Sequence, residues 1–168
     1  MRAIGLTCAL VLLSACDSQT PQERARDDAR AVAMVEKAQH QIPPVVPLSP
    51  QPITFADVEA AGMAGAGCAF IAKLVDEGAA VLHADARRAL VKVDGQLIQF
   101  ASDSGSTELP YGTRDHYVGK AFELRLRKDP GEGRQAGEEA MRWPGSIVIR
   151  DRWRREVFAA PGELECGA

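Results

Sequence analysis

The stretch Ala89 to Phe100, ALVKVDGQLIQF, constrains the fold of this chain more than any other. Two runs of alternating apolar and polar residues flank Asp94-Gly95, a pair favoured in two-residue hairpin turns because both central positions need positive φ. With such a loop Val93 faces Gln96, Val91 faces Ile98 and Ala89 faces Phe100. That face is nearly all apolar. Leu90, Lys92, Leu97 and Gln99 make the other face, half polar, as in a sheet with one side on a core and one side in water.

Further strands follow from the same period. In Ala121 to Lys128, AFELRLRK, Phe122, Leu124 and Leu126 point one way and Glu123, Arg125 and Arg127 the other. Ile147 and Ile149 share a side of SIVIRD. WRREVF and ELEC read as the final strands, with Leu164 and Cys166 inward and Glu163 and Glu165 outward. Gly78 to His83 is one more candidate, and Asp57 to Gly62 reads as a short helix after Thr54. Five or more short strands at this spacing predict a mainly β fold, a small antiparallel barrel or sandwich. Asp129 to Gly145, DPGEGRQAGEEAMRWPG, reads as a glycine-rich acidic insertion with room for one helical turn before Trp143-Pro144.

Composition places the boundary of that body. All nine aromatic residues lie between Phe55 and Phe158, and fourteen of the fifteen glycines follow residue 60, so residues 54–168 form the globular domain, long enough for one core. Before it, Thr20-Pro21-Gln22-Glu23 reads as a capping box with proline at the first helical position. The alanine-rich, charged stretch from Arg24 to Gln41 continues as a helix with a thin apolar stripe of Val32, Met34 and Val35. PPVVPLSPQP, residues 43–52, has five prolines in ten positions and reads as a stiff, extended spacer that does not pair in a sheet.

The apolar run from Ala3 to Ala15 follows a single positive charge, Arg2. It is shorter than the roughly 20 residues a helix needs to cross hydrocarbon, and has the anatomy of a secretory signal, residues 1–15. Leu13-Ser14-Ala15-Cys16 resembles the bacterial lipobox. That resemblance implies cleavage before Cys16, acylation of its thiol, and residues 16–53 as anchor, helix and spacer. Two or more acyl chains hold a protein durably at a membrane, so the bilayer is the expected first partner. Asp17 resembles the signal that retains lipoproteins in the inner membrane; the outer membrane stays open.

Cysteine arithmetic then simplifies. Cys8 leaves with the signal and Cys16 carries lipid, leaving Cys68 and Cys166 to pair in an oxidising compartment. The bridge would tie the ends of the β domain together. With Arg2 removed the formal charge falls from −3 to −4, which gives no footing for nucleic-acid binding.

Chemistry is sparse. SDSGSTELPYG, residues 102–112, contains no G-x-S-x-G, so Asp115-His116 beside Ser104 or Ser106 does not make a nucleophile elbow. His83 and Asp85 are too few for a metal, and Glu132, Glu138 and Glu139 share a loop that fixes no separation for paired acid and base. No catalytic residue, metal or cofactor is expected. If Arg150-Asp151-Arg152-Trp153-Arg154-Arg155 lies in a strand, Arg150, Arg152 and Arg154 form a comb able to engage phosphates or carboxylates. The plainer alternative is a solvated sheet face paired with nearby acids.

GAGCAF (65–70), ELPYG (108–112), WPGSIVIRD (143–151) and the terminal CGA resemble small lipoproteins of proteobacteria, which implies an envelope location and no particular activity. The lipidated β-barrel, the bracketing cysteines and Ser104, Gly105, Tyr111 and Lys120 are also similar to the membrane-bound inhibitors of c-type lysozyme. The chain departs from them in the insertion after Asp129, the missing aromatic-lysine-glycine element and the loose serine-to-lysine spacing. The expectation is a non-enzymatic binding or inhibitory module facing the periplasm, with Ser104, Tyr111, Lys120 and the arginines as its surface and an envelope protein or polymer as its partner. The alternative is an assembly-linked lipoprotein acting through its N-terminal helix.

Overall fold

The computed structural model describes residues 19–39, 41–73, 75 and 78–168; the expected signal, Cys16 and Asp17 lie outside them. The chain divides into two units, Met1–Pro43 and Pro44–Ala168. In the first, helix α1 covers Pro21–Gln39. Its capping box forms: the Thr20 N–H donates to Glu23 Oε2 at 2.8 Å and the Glu23 N–H to Thr20 Oγ1 at 3.2 Å. Every residue of α1 is exposed, Val32, Met34 and Val35 included, and no described helix is long and apolar enough to cross a membrane.

The second unit contains β1 (Pro50–Gln51), α2 (Phe55–Ala60), β2 (Gly67–Ala72), β3 (Ala80–Ala84), β4 (Arg88–Val93), β5 (Gln96–Ser102) and a 3-10 turn at Pro110–Gly112. It continues with β6 (His116–Val118), β7 (Phe122–Lys128), β8 (Arg134–Gln135), β9 (Met141–Asp151) and β10 (Glu156–Gly167). Eight of these strands close an antiparallel barrel in the order β4-β3-β2-β10-β9-β7-β6-β5, with β5 returning to β4. Of the barrel and sandwich alternatives, the barrel is the outcome. The hairpin register is as expected, Val93 opposite Gln96, Val91 opposite Ile98 and Ala89 opposite Phe100, and Asp94 and Gly95 both take positive φ.

Eight strands enclose a space that side chains can fill. Here Phe70, Leu82, Val91, Phe100, Tyr117, Leu124, Ile147, Ile149 and Leu164 fill it, each essentially inaccessible. Burying one large apolar side chain contributes about 1.5–3 kcal/mol. Cys68 and Cys166 stand opposite each other on β2 and β10 and form a disulfide that closes a loop across 98 residues.

Three expectations are corrected. WRREVF and ELEC are not separate strands: β10 runs unbroken from Glu156 to Gly167, and β9 likewise runs through Trp143-Pro144-Gly145, where a helical turn and loop were expected. Pro-Gly bends these strands rather than ending them. Gly145 and Gly162 are register partners with Pro144 and Pro161 beside them. A Cβ at either would sit 2.2 Å from a main-chain oxygen, of Arg127 or Ile71, so only glycine lets the barrel turn so tightly there.

Secondly, the spacer pairs. Pro50 and Gln51 lie opposite Val93 and Lys92, the Leu48 N–H donates to Val157 O at 2.8 Å, and the Ile53 N–H donates to Ala80 O at 2.7 Å. The segment thus passes from β10 to β4 beyond the ends of β2 and β3, with Leu48 packed on the core. Thirdly, the outer face of β4 does not simply meet water. Thr54 and Asp57 form a second capping box that starts α2, and α2 with its flanks covers Leu90 with Ile53, Val58 and Met63. Asp57 takes the Lys92 ammonium at 3.0 Å.

Candidate binding surface

The loop from Asp103 to Asp115 joins β5 to β6 and covers the disulfide end of the barrel. It is pinned from within: the Tyr117 hydroxyl donates to Asp85 O at 2.7 Å and accepts the Arg114 N–H at 2.8 Å. Burial pushes this phenol up to about 12. Thr113 is fully buried, and Leu109 packs on the core. Ser104 is exposed in a turn whose Ser106 N–H and Oγ both donate to Asp103 O. Tyr111, held at φ 57°, a conformation bulky residues rarely adopt, reaches across so that its hydroxyl donates to Glu139 O at 2.9 Å. It ties the loop to the segment after Asp129.

Beside the loop lies a cluster of ionisable side chains. His116 Nδ1 meets Asp103 Oδ2 at 3.0 Å and its Nε2 lies 3.7 Å from Glu123 Oε2; Glu123 in turn lies 3.7 Å from Arg150 Nη1. The bond from His116, joined by the Gly105 N–H, holds the Asp103 carboxyl below the usual carboxylate range. The imidazole sits between two carboxylates, and among the described residues neither Ser104 nor Ser106 bonds to it. Asp115 instead accepts the Thr107 N–H at 3.1 Å. His83 Nε2 meets Met63 O at 3.1 Å and burial lowers its pKa, while Asp85 accepts the Arg87 and Arg88 N–H groups. Among the described residues no group of three or more His, Cys, Asp or Glu is placed to hold a metal.

The arginine comb is not formed. Arg150 lies on β9, but Arg152 and Arg154 fall in the β9–β10 turn, with Arg154 at φ 62°. Asp151 organises that turn, its Oδ1 accepting the Trp153 and Arg155 N–H groups and its Oδ2 the Arg155 guanidinium. Burial alone would raise the Asp151 carboxyl; these donors outweigh it and hold the pKa below the ordinary value. Arg152 and Arg155 stack on the Trp153 ring at 5.2 and 4.8 Å. A different set, Arg125, Arg127 and Arg150, lines a groove of about 330 Å³ on the outside of β7 and β9 with Asp115. Alternation alone marked Arg125 and Arg127 as outward; only the pairing of β7 with β9 shows that Arg150 joins them.

Lys120 lies apart from Ser104 and Tyr111, in the turn between β6 and β7 closed by the Gly119 N–H to Phe122 O bond. Its neighbours are Ile98, Phe100, Val118, Ala121 and Phe122, which line a groove of about 770 Å³ on the flank of the barrel. The groove exists because β6 is short. Of the seven residues of β5, only Ala101 and Ser102 pair with β6. Sequence reading missed this site, since no local pattern tells how far two strands separated by a loop stay paired.

No family model matches the chain, no curated protein matches it, and no solved structure matches it.

Proposed function

We propose that this chain is an envelope lipoprotein, acylated at Cys16 and facing the periplasm, whose barrel acts as a binding or inhibitory module rather than by catalysis. One observation carries the reading: the barrel interior is occupied by its own side chains and its disulfide end is covered by a pinned loop, so partners meet the outer surface of a stiff scaffold. Acylation would hold that surface at high effective concentration near targets in the envelope. Resemblance to the lysozyme inhibitors makes c-type lysozyme the first target to try. The purified protein at large molar excess is expected to slow c-type lysozyme on peptidoglycan; undiminished hydrolysis retires the inhibitory form of the proposal.

The full exposure of α1, with Val32, Met34 and Val35 uncovered, favours a second reading in which this helix recruits an assembly partner. Pull-downs comparing the intact chain with one lacking residues 21–41 separate the two. Retained partners point to the barrel, lost partners to the helix.

A further inference from the structure

The flank of the barrel beside β5 has the features of a place where another strand is meant to pair. The two-residue hairpin sets the parity of β5. Gln96, Ile98 and Phe100 exchange their main-chain bonds with β4, and Ser102 keeps that parity, its N–H donating to Arg87 O at 2.8 Å. The odd positions face the other way, as Ala101 opposite Val118 and the Asp103 N–H to His116 O bond demonstrate. Leu97 and Gln99 share the odd parity. Their N–H and C=O groups therefore point toward the line of β6, which ends at Val118. Among the described residues no hydrogen bond is recorded to the outward main chain of either. Their side chains are exposed, so two residues of backbone lie open in the sheet plane.

The walls of this gap are apolar: Ile98, Phe100, Val118, Ala121 and Phe122. Phe100 belongs to the barrel core, so an occupant with inward side chains at alternate positions would extend that core sideways. The one charged residue lining the groove is Lys120, which is exposed and has no ion pair or hydrogen bond among the described residues. Three requirements follow for the occupant. It presents main-chain donors and acceptors at strand spacing, which an acyl chain does not. It carries apolar side chains at every second position, and it places a carboxylate at the end of the gap nearest the β6–β7 turn.

We propose that the gap between β5 and the β6–β7 turn is a strand-addition site that takes an extended segment of a partner protein bearing a glutamate or aspartate opposite Lys120. The site deepens the binding-module reading and rests on it. The main chain of Leu97 and Gln99 supplies affinity in any sequence, and the apolar wall with Lys120 selects among sequences.

The test is a selection of displayed random-sequence peptides against the full chain, followed by binding of the enriched synthetic peptides to the wild type, Lys120→Glu and Leu97→Pro. Proline at 97 removes an N–H that β4 does not use, a change tolerated at a sheet edge. Lys120→Glu alters only an exposed turn, so it remains informative if the proline variant fails to fold. Enriched peptides are expected to alternate apolar residues around an acidic one and to lose about tenfold or more in affinity with either variant. They should also slow hydrogen exchange at the Leu97 and Gln99 amides. Absence of any binder at millimolar peptide, binders without acidic residues, or binders indifferent to both variants would each overturn the site. Binders indifferent to both variants would still leave the barrel a binding module with its surface elsewhere, which separates failure of the site from failure of the wider reading.

Discussion

Tyr117 shows how one atom can hold a loop. Its hydroxyl satisfies a donor from Arg114 and an acceptor at Asp85 inside a fully buried site. Tyr117→Phe keeps the ring and leaves both groups without a partner, so it is expected to cost about 2 kcal/mol in urea unfolding. It should also speed hydrogen exchange at the Arg114 amide. Asp57 is the complementary case at the surface. The Thr54 N–H, then Lys92, then the Thr54 hydroxyl lower its pKa from 3.8 to about 2. A carboxyl depressed on folding adds stability above its unfolded value and loses it as pH falls toward the folded one. The melting temperature should therefore drop as pH goes from about 4 to about 2, and drop less in Asp57→Asn. The Arg150, Arg152 and Arg154 comb failed at this same scale. Alternation assumes a continuing strand, whereas Asp151 gathers the donors of the next residues into a turn.

At the scale of elements, the hairpin from Ala89 to Phe100 was legible to the residue, because its period and its Asp-Gly turn are both local. So were the capping box at Thr20 and the short helix after Thr54, whose own capping box only the structure showed. The continuity of β9 and β10 was not. Pro-Gly ends strands in most settings, and only the facing of Gly145 by Gly162 in a closed barrel turns the same dipeptide into a bend. Replacing either by alanine puts a methyl group against a main-chain oxygen; each variant is expected to lose about 1–3 kcal/mol in denaturant unfolding. The pairing of Pro50-Gln51 was equally hidden, since it depends on the pairing of β3 with β4 stopping at Leu82, which leaves Lys92 and Val93 of β4 open. The groove at Lys120 arises in the same way from the shortness of β6, which is why the sequence pointed to Lys120 for a resemblance and missed its surroundings.

For the whole molecule, a filled barrel fastened between its first and last long strands makes a stiff body. The bridge between Cys68 and Cys166 closes a loop spanning 98 residues, and in the chain-entropy model such a loop contributes about 4–5 kcal/mol. The Cys68→Ser, Cys166→Ser double variant is expected to unfold at markedly lower urea than the oxidised wild type, and reduction of the wild type should reproduce the shift. A bond of this kind forms in an oxidising compartment rather than in the cytosol, which is consistent with the export proposed above. The resemblance of Leu13 to Cys16 to a lipobox points to the same compartment. The central proposal is that the protein is exported and acylated at its sixteenth residue, and the most direct test is the intact mass of the chain recovered from the membranes of bacteria expressing it with its leader. The expected species begins at Cys16, carries acyl chains on that cysteine and has two fewer hydrogens for the Cys68–Cys166 bond; an unacylated chain still beginning at Met1 would contradict it.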